Sequence, residues 1–458
     1  MSDHLKLLTE NRDRYVDELR EFVRIPSISS LPDHQDDVRA AAAWVRDRLA
    51  RAGLEHAEIL ETGAQPAVYA DHLHAPGAPT VLIYAHFDVQ PALRSDGWNA
   101  DPFDPVLAGD RVYGRGSSDD KGNLLVPVQA VEALLAGGGS LPVNVKFLLE
   151  GQEEIGSPTM DPFVAEHAER LACDLVVSAD GSQWSETEPG LWLSLRGLCS
   201  LQIDVTGPAR DVHSGTYGGA IHNPIHALVR ILDSMRGADG KVLVDGFFDG
   251  VGELSDAERA DLDRVPFDER SFLDSLGSQG LFGEPGYGTR ARQWRRPTLE
   301  INGIWGGFQG DGVKTVLPSQ AHAKITCRLV GDQDPARIRE AIAAHVRRHA
   351  DPAAAVEIRS LGSAGMPYTI PSGHPGNEAA RAVLAELYGT EPYAIASGGS
   401  IPILNMFERY LGAKTVIFAF ALEDEGAHGP NEFFRLASYE RGKVAYCRLL
   451  DRLAGLAA

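Results

Sequence analysis

The sequence predicts an α/β protein with a mainly parallel sheet, into which a smaller α+β domain is inserted. Several segments are apolar along their whole length and rich in β-branched residues, as in strands covered on both faces, and helical patterns separate them. The pattern changes near Leu195 and returns after residue 372. A chain of 458 residues is also longer than one hydrophobic core usually fills, so two domains are expected.

The first part of the chain alternates helical and strand patterns, which is typical of a parallel sheet. Its N-terminus, residues 1–22, is polar, predicts an amphipathic helix and lacks the apolar centre of a signal peptide. The helical patterns that follow end in glycine, a common helix stop. In chain order the predicted elements are a helix at 37–53, a strand at 80–89, a helix at 123–139, and strands at 143–151 and 174–181.

From about residue 195 the predicted strands alternate polar and apolar residues, as strands with one covered face do. A polar stretch at 237–297 has weak periodicity and is interpreted as an excursion from this pattern. The predicted elements around it are strands at 199–207, 320–330 and 354–362 and helices at 223–235 and 334–350. Such an alternation of strands and helices predicts a small α+β domain.

A buried strand is predicted again at 415–422, so the last part of the chain returns to the first pattern. We therefore expect one domain to be formed by residues 1–194 together with 373–458. The second domain is expected at 195–372, inserted into the first.

The composition argues against several classes of protein. Hydrophobic residues make up 43% of the chain and charged residues 23%, which is ordinary for a water-soluble globular protein. No apolar run reaches the roughly 18 residues that a membrane span needs, and a net charge of -21 argues against nucleic-acid binding. The cysteines are far apart and form no CxxC pair, as in a cytoplasmic protein with reduced thiols.

Histidines and carboxylates cluster near five predicted strand ends of the first domain. The carboxyl ends of strands are where α/β sheets usually carry functional groups. Each cluster alone has an ordinary structural explanation, such as a solvated turn, a charged helix start or a polar loop. The candidates are His86 with Asp88, Asp119 with Asp120, Glu153 with Glu154, Asp180, and His428.

Together these residues supply His, Asp, Glu, Asp and His, which is the ligand set of a two-metal hydrolytic site. A metal cluster would also explain why Glu153 and Glu154 stand side by side after an apolar strand. Two adjacent carboxylates repel each other and resist desolvation. They become tolerable if one binds a metal ion and the other faces the water that the ion activates.

Several short motifs, taken in order, resemble the M20 metallopeptidase family, and within it the branch of carnosinase and the cytosolic nonspecific dipeptidases. The resemblance spans essentially the whole chain and implies a zinc-peptidase-like catalytic domain with an inserted lid and dimerisation domain. The motifs are FVRIPSIS (22–29), HFD (86–88), GRGSSDDKG (114–122), GQEEIGS (151–157), SADG (178–181), DVHSGTYGG (211–219) and HGPNE (428–432).

The resemblance implies two divalent metal ions per subunit, either Zn or Mn. His86 and Asp180 would bind one ion, and Glu154 and His428 would bind the other. Asp119 would bridge the two ions.

Roles beside the metal ligands are implied in the same way. Asp88 would orient His86 through the second ring nitrogen. Glu153 would act as the general base. The peptide bond between Asp119 and Asp120 would be cis.

Substrate contacts are expected mainly in the inserted domain. The resemblance implies that His213 reaches the active site of the partner subunit in a homodimer and stabilises the oxyanion. Arg328 would bind the substrate carboxylate through its two-pronged guanidinium. Gly399 and Ser400 would contact the substrate backbone. A loop histidine and a strand arginine paired with an acid are the structural alternatives for His213 and Arg328.

The predicted activity is therefore the hydrolysis of the peptide bond of dipeptides, with two metal ions and a water activated by Glu153, in the cytoplasm. The alternative is an N-acyl-amino-acid deacylase or desuccinylase with the same metal chemistry. The large inserted domain argues against an aminopeptidase of the M28 type. The presence of every ligand position argues against a scaffold that has lost catalysis. The native metal and the preferred side chains stay open.

Overall fold

The chain folds into two compact units in the computed structural model, which describes residues 3–362 and 364–456. The first unit comprises Met1–Leu193, Ile370–Ile395 and Ile401–Ala458. The second comprises Ser194–Thr369 and the short segment Ala396–Ser400.

The helices, in chain order, are α1 (Asp3–Glu10), α2 (Arg12–Val23), α3 (Gln35–Arg51), α4 (Lys121–Gly138), α5 (Met160–Glu166), α6 (Ala168–Leu171), α7 (Ser214–Tyr217), α8 (Pro224–Ser234), α9 (Asp256–Arg264), α10 (Glu269–Leu276), α11 (Thr289–Trp294), α12 (Pro335–His349), α13 (Pro375–Tyr388), α14 (Ile403–Leu411) and α15 (Leu436–Leu453). No helix in the described part of the chain is both long and apolar enough to cross a membrane.

The strands, in chain order, are β1 (Glu55–Leu60), β2 (Ala67–His72), β3 (Thr80–His86), β4 (Val106–Ala108), β5 (Arg111–Tyr113), β6 (Asn144–Glu150), β7 (Leu175–Ser178), β8 (Ser182–Gln183), β9 (Gly190–Leu195), β10 (Gly197–Thr206), β11 (Val212–His213), β12 (Thr298–Gly306), β13 (Val316–Leu317), β14 (Gln320–Leu329), β15 (Ala355–Ser360), β16 (Tyr368–Thr369), β17 (Tyr393–Ser397), β18 (Thr415–Ile417), β19 (Ala421–Leu422) and β20 (Phe433–Arg435).

The large sheet of the first unit has the order β1-β2-β6-β3-β7-β18-β9. Its central strands β6, β3, β7 and β18 run parallel, and the pairings toward β1 and β9 are antiparallel. In this register His86 at the end of β3 lies opposite Glu150 at the end of β6. The predicted α/β fold with a mainly parallel sheet is therefore confirmed, and the loops after β3, β6 and β7 leave the sheet at one edge.

The apolar strand patterns become the core because both faces of these strands are covered. Every side chain of β3 from Val81 to Ala85 is buried, and so is most of α4. Burying such side chains stabilises the folded state by roughly 1.5–3 kcal/mol each. This core holds the strand ends in place, and with them the polar residues that follow.

Two predicted elements of the first unit are divided in the structure. The prediction of a single N-terminal helix is wrong, because the segment is split into α1 and α2 at Asn11. The Asn11 side chain donates to the Leu7 carbonyl at 2.9 Å and so competes with the helix backbone. The prediction of one continuous strand at 415–422 is also wrong. The backbone N–H groups of Phe420 and Ala421 donate to the Asn123 side chain at 2.9 and 3.2 Å, and the chain is not part of a strand from residue 418 to 420.

The second unit is built on an antiparallel sheet with the order β12-β14-β10-β15. Helices α8 and α12 pack against one face of it, and their apolar residues join the inward-facing residues of β10 and β14 in one core. The alternating burial along β14 matches the pattern predicted from the sequence. The weakly periodic stretch at 237–297 contains the short helices α9, α10 and α11.

Candidate metal centre

His86 ends β3 and is buried. Its Nε2 atom lies 3.2 Å from the Asp119 carboxylate. Its Nδ1 atom lies 3.1 Å from the backbone oxygen of Asp88 and 3.4 Å from the carboxylate of the same residue. Asp88 therefore holds one ring nitrogen, and the other points toward Asp119.

Asp88 also positions the paired glutamates. Its buried carboxylate accepts hydrogen bonds from the backbone N–H groups of Glu153 and Glu154, both at 3.1 Å, and from the Ser29 hydroxyl at 2.6 Å. Ser29 belongs to the segment 22–29 that the sequence motifs include. One buried carboxylate thus fixes the strand end that carries His86, the turn that carries both glutamates, and the N-terminal segment.

The two glutamates have different surroundings. The Glu154 carboxylate accepts a hydrogen bond from Gln90 at 2.8 Å and lies 3.2 Å from His428 Nε2. The Glu153 carboxylate has no hydrogen-bond partner among residues 3–362 and 364–456, and it keeps partial contact with solvent. Burial and the nearby carboxylates of Asp180 and Glu154 raise the pKa of Glu153 well above its usual range, although His86 opposes them.

Asp119 lies between two imidazoles. Its carboxylate oxygens are 3.2 Å from His86 Nε2 and 3.1 Å from His428 Nε2. Burial disfavours its ionised form, but the hydrogen bonds from His428 and His86 hold the pKa of Asp119 well below its usual range. The expected cis peptide bond is confirmed between Asp119 and Asp120. The buried Asp120 carboxylate accepts a hydrogen bond from the backbone N–H of His86 at 3.2 Å.

Asp180 and His428 complete the predicted set. Asp180 follows β7, and burial together with the carboxylates of Asp119 and Glu154 raises its pKa to about 7, against the effect of His86. His428 lies in a loop with φ 61°, a backbone conformation that non-glycine residues seldom adopt. Hydrogen bonds with Asp119 and Glu154 raise the pKa of His428 to about 10.

These residues form two groups of possible metal ligands that share Asp119. His86, Asp119 and Asp180 form one group, and Asp119, Glu154 and His428 form the other. Within each group the ligand atoms lie within 4.8 Å of one another. Imidazole and carboxylate are donors that both Zn and Mn accept, and a buried cluster of carboxylates needs positive charge nearby. The structure thus brings together all five residues predicted as ligands, in an arrangement that fits two cations.

Glu432 is a residue that sequence reasoning missed. It is fully buried and accepts hydrogen bonds from the backbone N–H groups of Gly116, Ser118 and Asp119 at 2.9–3.0 Å, and from the Arg115 guanidinium at 2.6 Å. It therefore ties the loop that carries Asp119 to the loop that carries His428. The sequence did contain a feature that could have identified Glu432: it is the last residue of the HGPNE motif, four residues after a predicted ligand histidine.

Asn123, in the first turn of α4, was missed as well. Its amide donates to the backbone oxygens of Ser118 at 3.1 Å and Gly181 at 3.3 Å, while its oxygen accepts from the backbone after β18. Three loops at the edge of the sheet are joined in this way. Nothing in the sequence near Asn123 indicates these partners, which are distant along the chain.

The predicted substrate-binding residues all belong to the second unit. His213 is exposed at the end of β11, and its Nδ1 accepts a hydrogen bond from the Gly215 N–H at 3.0 Å. The neutral ring therefore carries its proton on Nε2, which is free to donate. Arg328 lies on β14, and Gly399 and Ser400 lie in the segment Ala396–Ser400.

A mainly parallel α/β sheet whose edge carries two groups of metal ligands with one shared carboxylate defines a metal-dependent hydrolase. Residues 82–452 match the sequence profile of peptidase family M20/M25/M40. The chain belongs to this family and is a metallopeptidase, as the sequence motifs indicated.

Curated relatives match over nearly their full length. The chain is 30% identical over 467 residues to the Cys-Gly metallodipeptidase of Schizosaccharomyces pombe, covering 98% of each protein. It is 30% identical over 466 residues to the human Beta-Ala-His dipeptidase, covering 97% of this chain and 91% of that protein. Among solved structures, the dipeptidase Dug1p of Saccharomyces cerevisiae aligns with a TM-score of 0.82 and 26% identity, over 100% of this chain and 99% of that one.

Proposed function

We propose that this protein hydrolyses the peptide bond of dipeptides with the help of two divalent metal ions. The observation that carries the proposal is the carboxylate of Asp119, which is shared by two groups of possible ligands. Beside one of these ligands, Glu154, the carboxylate of Glu153 has no hydrogen-bond partner in the described residues. The named relatives act as dipeptidases, which supports the same substrate class here.

In this proposal His86 and Asp180 would hold one ion, Glu154 and His428 would hold the other, and Asp119 would serve both. When bound, the ions would lower the pKa of water and polarise the scissile carbonyl. Asp88 keeps the His86 ring in place through Nδ1, so that Nε2 remains the ligand atom.

Glu153 acts as the general base. Its position beside a ligand, without being one, lets it take a proton from the attacking water and pass that proton to the leaving amine as the C–N bond breaks. The Glu153 carboxylate has no hydrogen-bond partner among residues 3–362 and 364–456, so its oxygens are available to accept that proton.

The second unit supplies the substrate contacts. Arg328 binds the free carboxylate of the dipeptide, and Gly399 and Ser400 contact its backbone. His213 reaches the active site of the partner subunit in a homodimer and donates its Nε2–H to the developing oxyanion. We accordingly assign residues 1–194 and 373–458 to the catalytic domain and residues 195–372 to a lid and dimerisation domain.

Removal of metal tests the mechanism. Chelation should abolish the hydrolysis of Ala-Ala, and adding Mn²⁺ or Zn²⁺ should restore it. Full activity in protein that elemental analysis shows to be free of metal would overturn the proposal.

The substrate class is tested with the restored enzyme. Ala-Ala should be hydrolysed much faster than N-acetyl-Ala, because a dipeptidase reads the free α-amino group. The reverse preference would favour the alternative, an N-acyl-amino-acid deacylase or desuccinylase with the same ligands.

A further inference from the structure

A cavity of about 530 Å³ lies within the second unit. One wall is the sheet face turned away from α8 and α12, where Thr298 and Arg328 are paired across β12 and β14. The other wall is the excursion at 237–297, which contributes apolar side chains that include Phe248 and Phe282. A volume of this size suits a small ligand and exceeds what a single carboxylate group needs.

The cavity is rich in positive charge although the chain carries a net charge of -21. Five arginines and two glutamates line it. Arg236 is paired with Glu300 at 3.2 Å, and Arg296 with Glu284 at 2.6 and 2.7 Å. The other three have no carboxylate partner in the described ranges 3–362 and 364–456, and they are Arg196, Arg292 and Arg328.

Arg196 and Arg328 are neighbours in this cavity. Arg328 lies opposite Leu198 in the pairing of β10 with β14, and Arg196 comes two residues before Leu198. Both side chains are half-buried, and the Nε atom of Arg196 is buried without a hydrogen-bond partner in the described residues. Burial and the charge of Arg328 lower the pKa of Arg196 to about 10, although Glu300 opposes them, and burial lowers the pKa of Arg328.

Two partly desolvated cations side by side are unfavourable unless a ligand supplies negative charge. Each guanidinium offers two parallel N–H donors, the geometry that a carboxylate accepts. Two neighbouring guanidiniums in a roomy cavity therefore suit a ligand with two carboxylates better than a ligand with one. The apolar wall that includes Phe248 and Phe282 suits the methylene groups between such carboxylates.

We propose that this cavity binds the C-terminal residue of an acidic dipeptide, Xaa-Glu or Xaa-Asp. Arg328 holds the α-carboxylate, and Arg196 holds the side-chain carboxylate. The inference rests on the proposed dipeptidase function. That function assigns only Arg328 to the substrate carboxylate and does not specify which substrate side chain is preferred. Arg292 adds positive charge to the same cavity.

The first test compares kcat/KM for Ala-Glu, Ala-Gln and Ala-Leu. Ala-Glu should exceed its isostere Ala-Gln by about tenfold, the usual scale for one charge-assisted contact. Arg196→Gln should lower kcat/KM for Ala-Glu about tenfold more than for Ala-Leu, whereas Arg328→Ala should lower all three. Arg347→Gln, an exposed arginine of α12 outside the cavity, serves as the control and should change none.

The second test does not depend on catalysis. Calorimetry on the purified protein should show that L-glutamate binds more tightly than L-glutamine, and Arg196→Gln should remove the difference. If Arg196→Gln fails to fold, Arg196→Lys, which keeps the charge but loses the two-pronged donor, should weaken the preference instead.

The outcomes separate this inference from the proposed function. The inference would be overturned if all three dipeptides were hydrolysed equally well and Arg196→Gln affected them equally. The proposed dipeptidase activity would still stand. Binding of glutamate through Arg196 in a protein that hydrolyses no dipeptide would support the cavity as a dicarboxylate site and overturn the dipeptidase.

Discussion

The two units pose opposite electrostatic problems. The first unit gathers carboxylates at one edge of its sheet. The second gathers five guanidiniums in a cavity, three of which have no carboxylate partner in the part of the chain that the structure describes. The carboxylate loops are fixed by buried acceptors, since Asp88 and Glu432 each hold several backbone N–H groups. Among residues 3–362 and 364–456, Arg196 and Arg328 have no carboxylate partner, and the Nε atom of Arg196 is buried without an acceptor.

This difference follows from what each region is proposed to bind. Metal ligands must converge at about 2.0–2.2 Å from an ion, so the backbone that carries them needs rigid support. A carboxylate of a substrate is met by a guanidinium at the end of a long arginine side chain, so its recognition does not require several loops to be fixed together. In this chain, hydrogen bonds from backbone N–H groups to buried carboxylates support the candidate metal ligands, and the guanidiniums of the cavity lack comparable acceptors in the described residues.

The largest expected effects separate the two adjacent glutamates. Glu153→Gln should lower kcat by about 10²–10⁴, because general-base catalysis is lost, yet it should keep both metal ions. Glu154→Ala should lower the metal content as well as the activity, because it removes a ligand. Steady-state kinetics with elemental analysis of each variant measures both quantities.

Each glutamate is the matched control for the other, since the two share one turn and the same backbone support from Asp88. If Glu153→Gln lost metal while Glu154→Ala stayed active, the assigned roles would be reversed. If both variants kept metal and activity, neither residue would belong to the site.

Glu432 tests whether rigid support matters for metal binding. Glu432→Gln replaces one acceptor oxygen with a donor and leaves buried N–H groups of the Asp119 loop without a partner, at a cost of about 1–3 kcal/mol. Metal affinity should fall by about 10–100-fold, the usual effect of losing a group that orients a ligand. Titration of the metal against a fluorescent chelator measures it.

Glu18→Gln is the control for this variant. Glu18 is also buried, and its hydrogen-bond partners in the described residues are Arg14, Arg48 and Gln129, which lie in helices outside the ligand loops. It should lower thermal stability without changing the affinity for metal. Equal metal affinity in Glu432→Gln and in the unmodified protein would show that Glu432 serves only the fold.

The sequence predicts four of the ligand positions because each follows an apolar run predicted as a buried strand, and parallel strands place their carboxyl ends together. Asp119 is the exception, since it follows the short strand β5 of a separate sheet and was found through its paired acids in a glycine-rich turn. The sequence does not predict Glu432 or Asn123. Their partners are backbone groups of loops far away along the chain, and no local pattern encodes such contacts. The cavity of the second unit is hidden for a similar reason, because its outer wall is the excursion at 237–297, whose short helices α9, α10 and α11 have weak periodicity.

The smallest expected change is a partial recovery of activity when two inactive variants are mixed, one of them at His213, a residue of the second unit that we propose to serve the partner subunit. His213→Ala and Glu153→Gln should each be inactive alone. If His213 acts in trans, a mixed dimer contains one site with both functional groups and one with neither. Random reassortment makes about half of the dimers mixed, so about a quarter of the sites should recover, as two-fold symmetry requires.

The two variants are dissociated and reassociated together, with exchange of chains verified by mass-tagged subunits. Activity that stays at the level of the single variants despite verified exchange would mean that His213 serves its own chain or only the fold. Its exposed ring, with the proton on Nε2, favours the shared site.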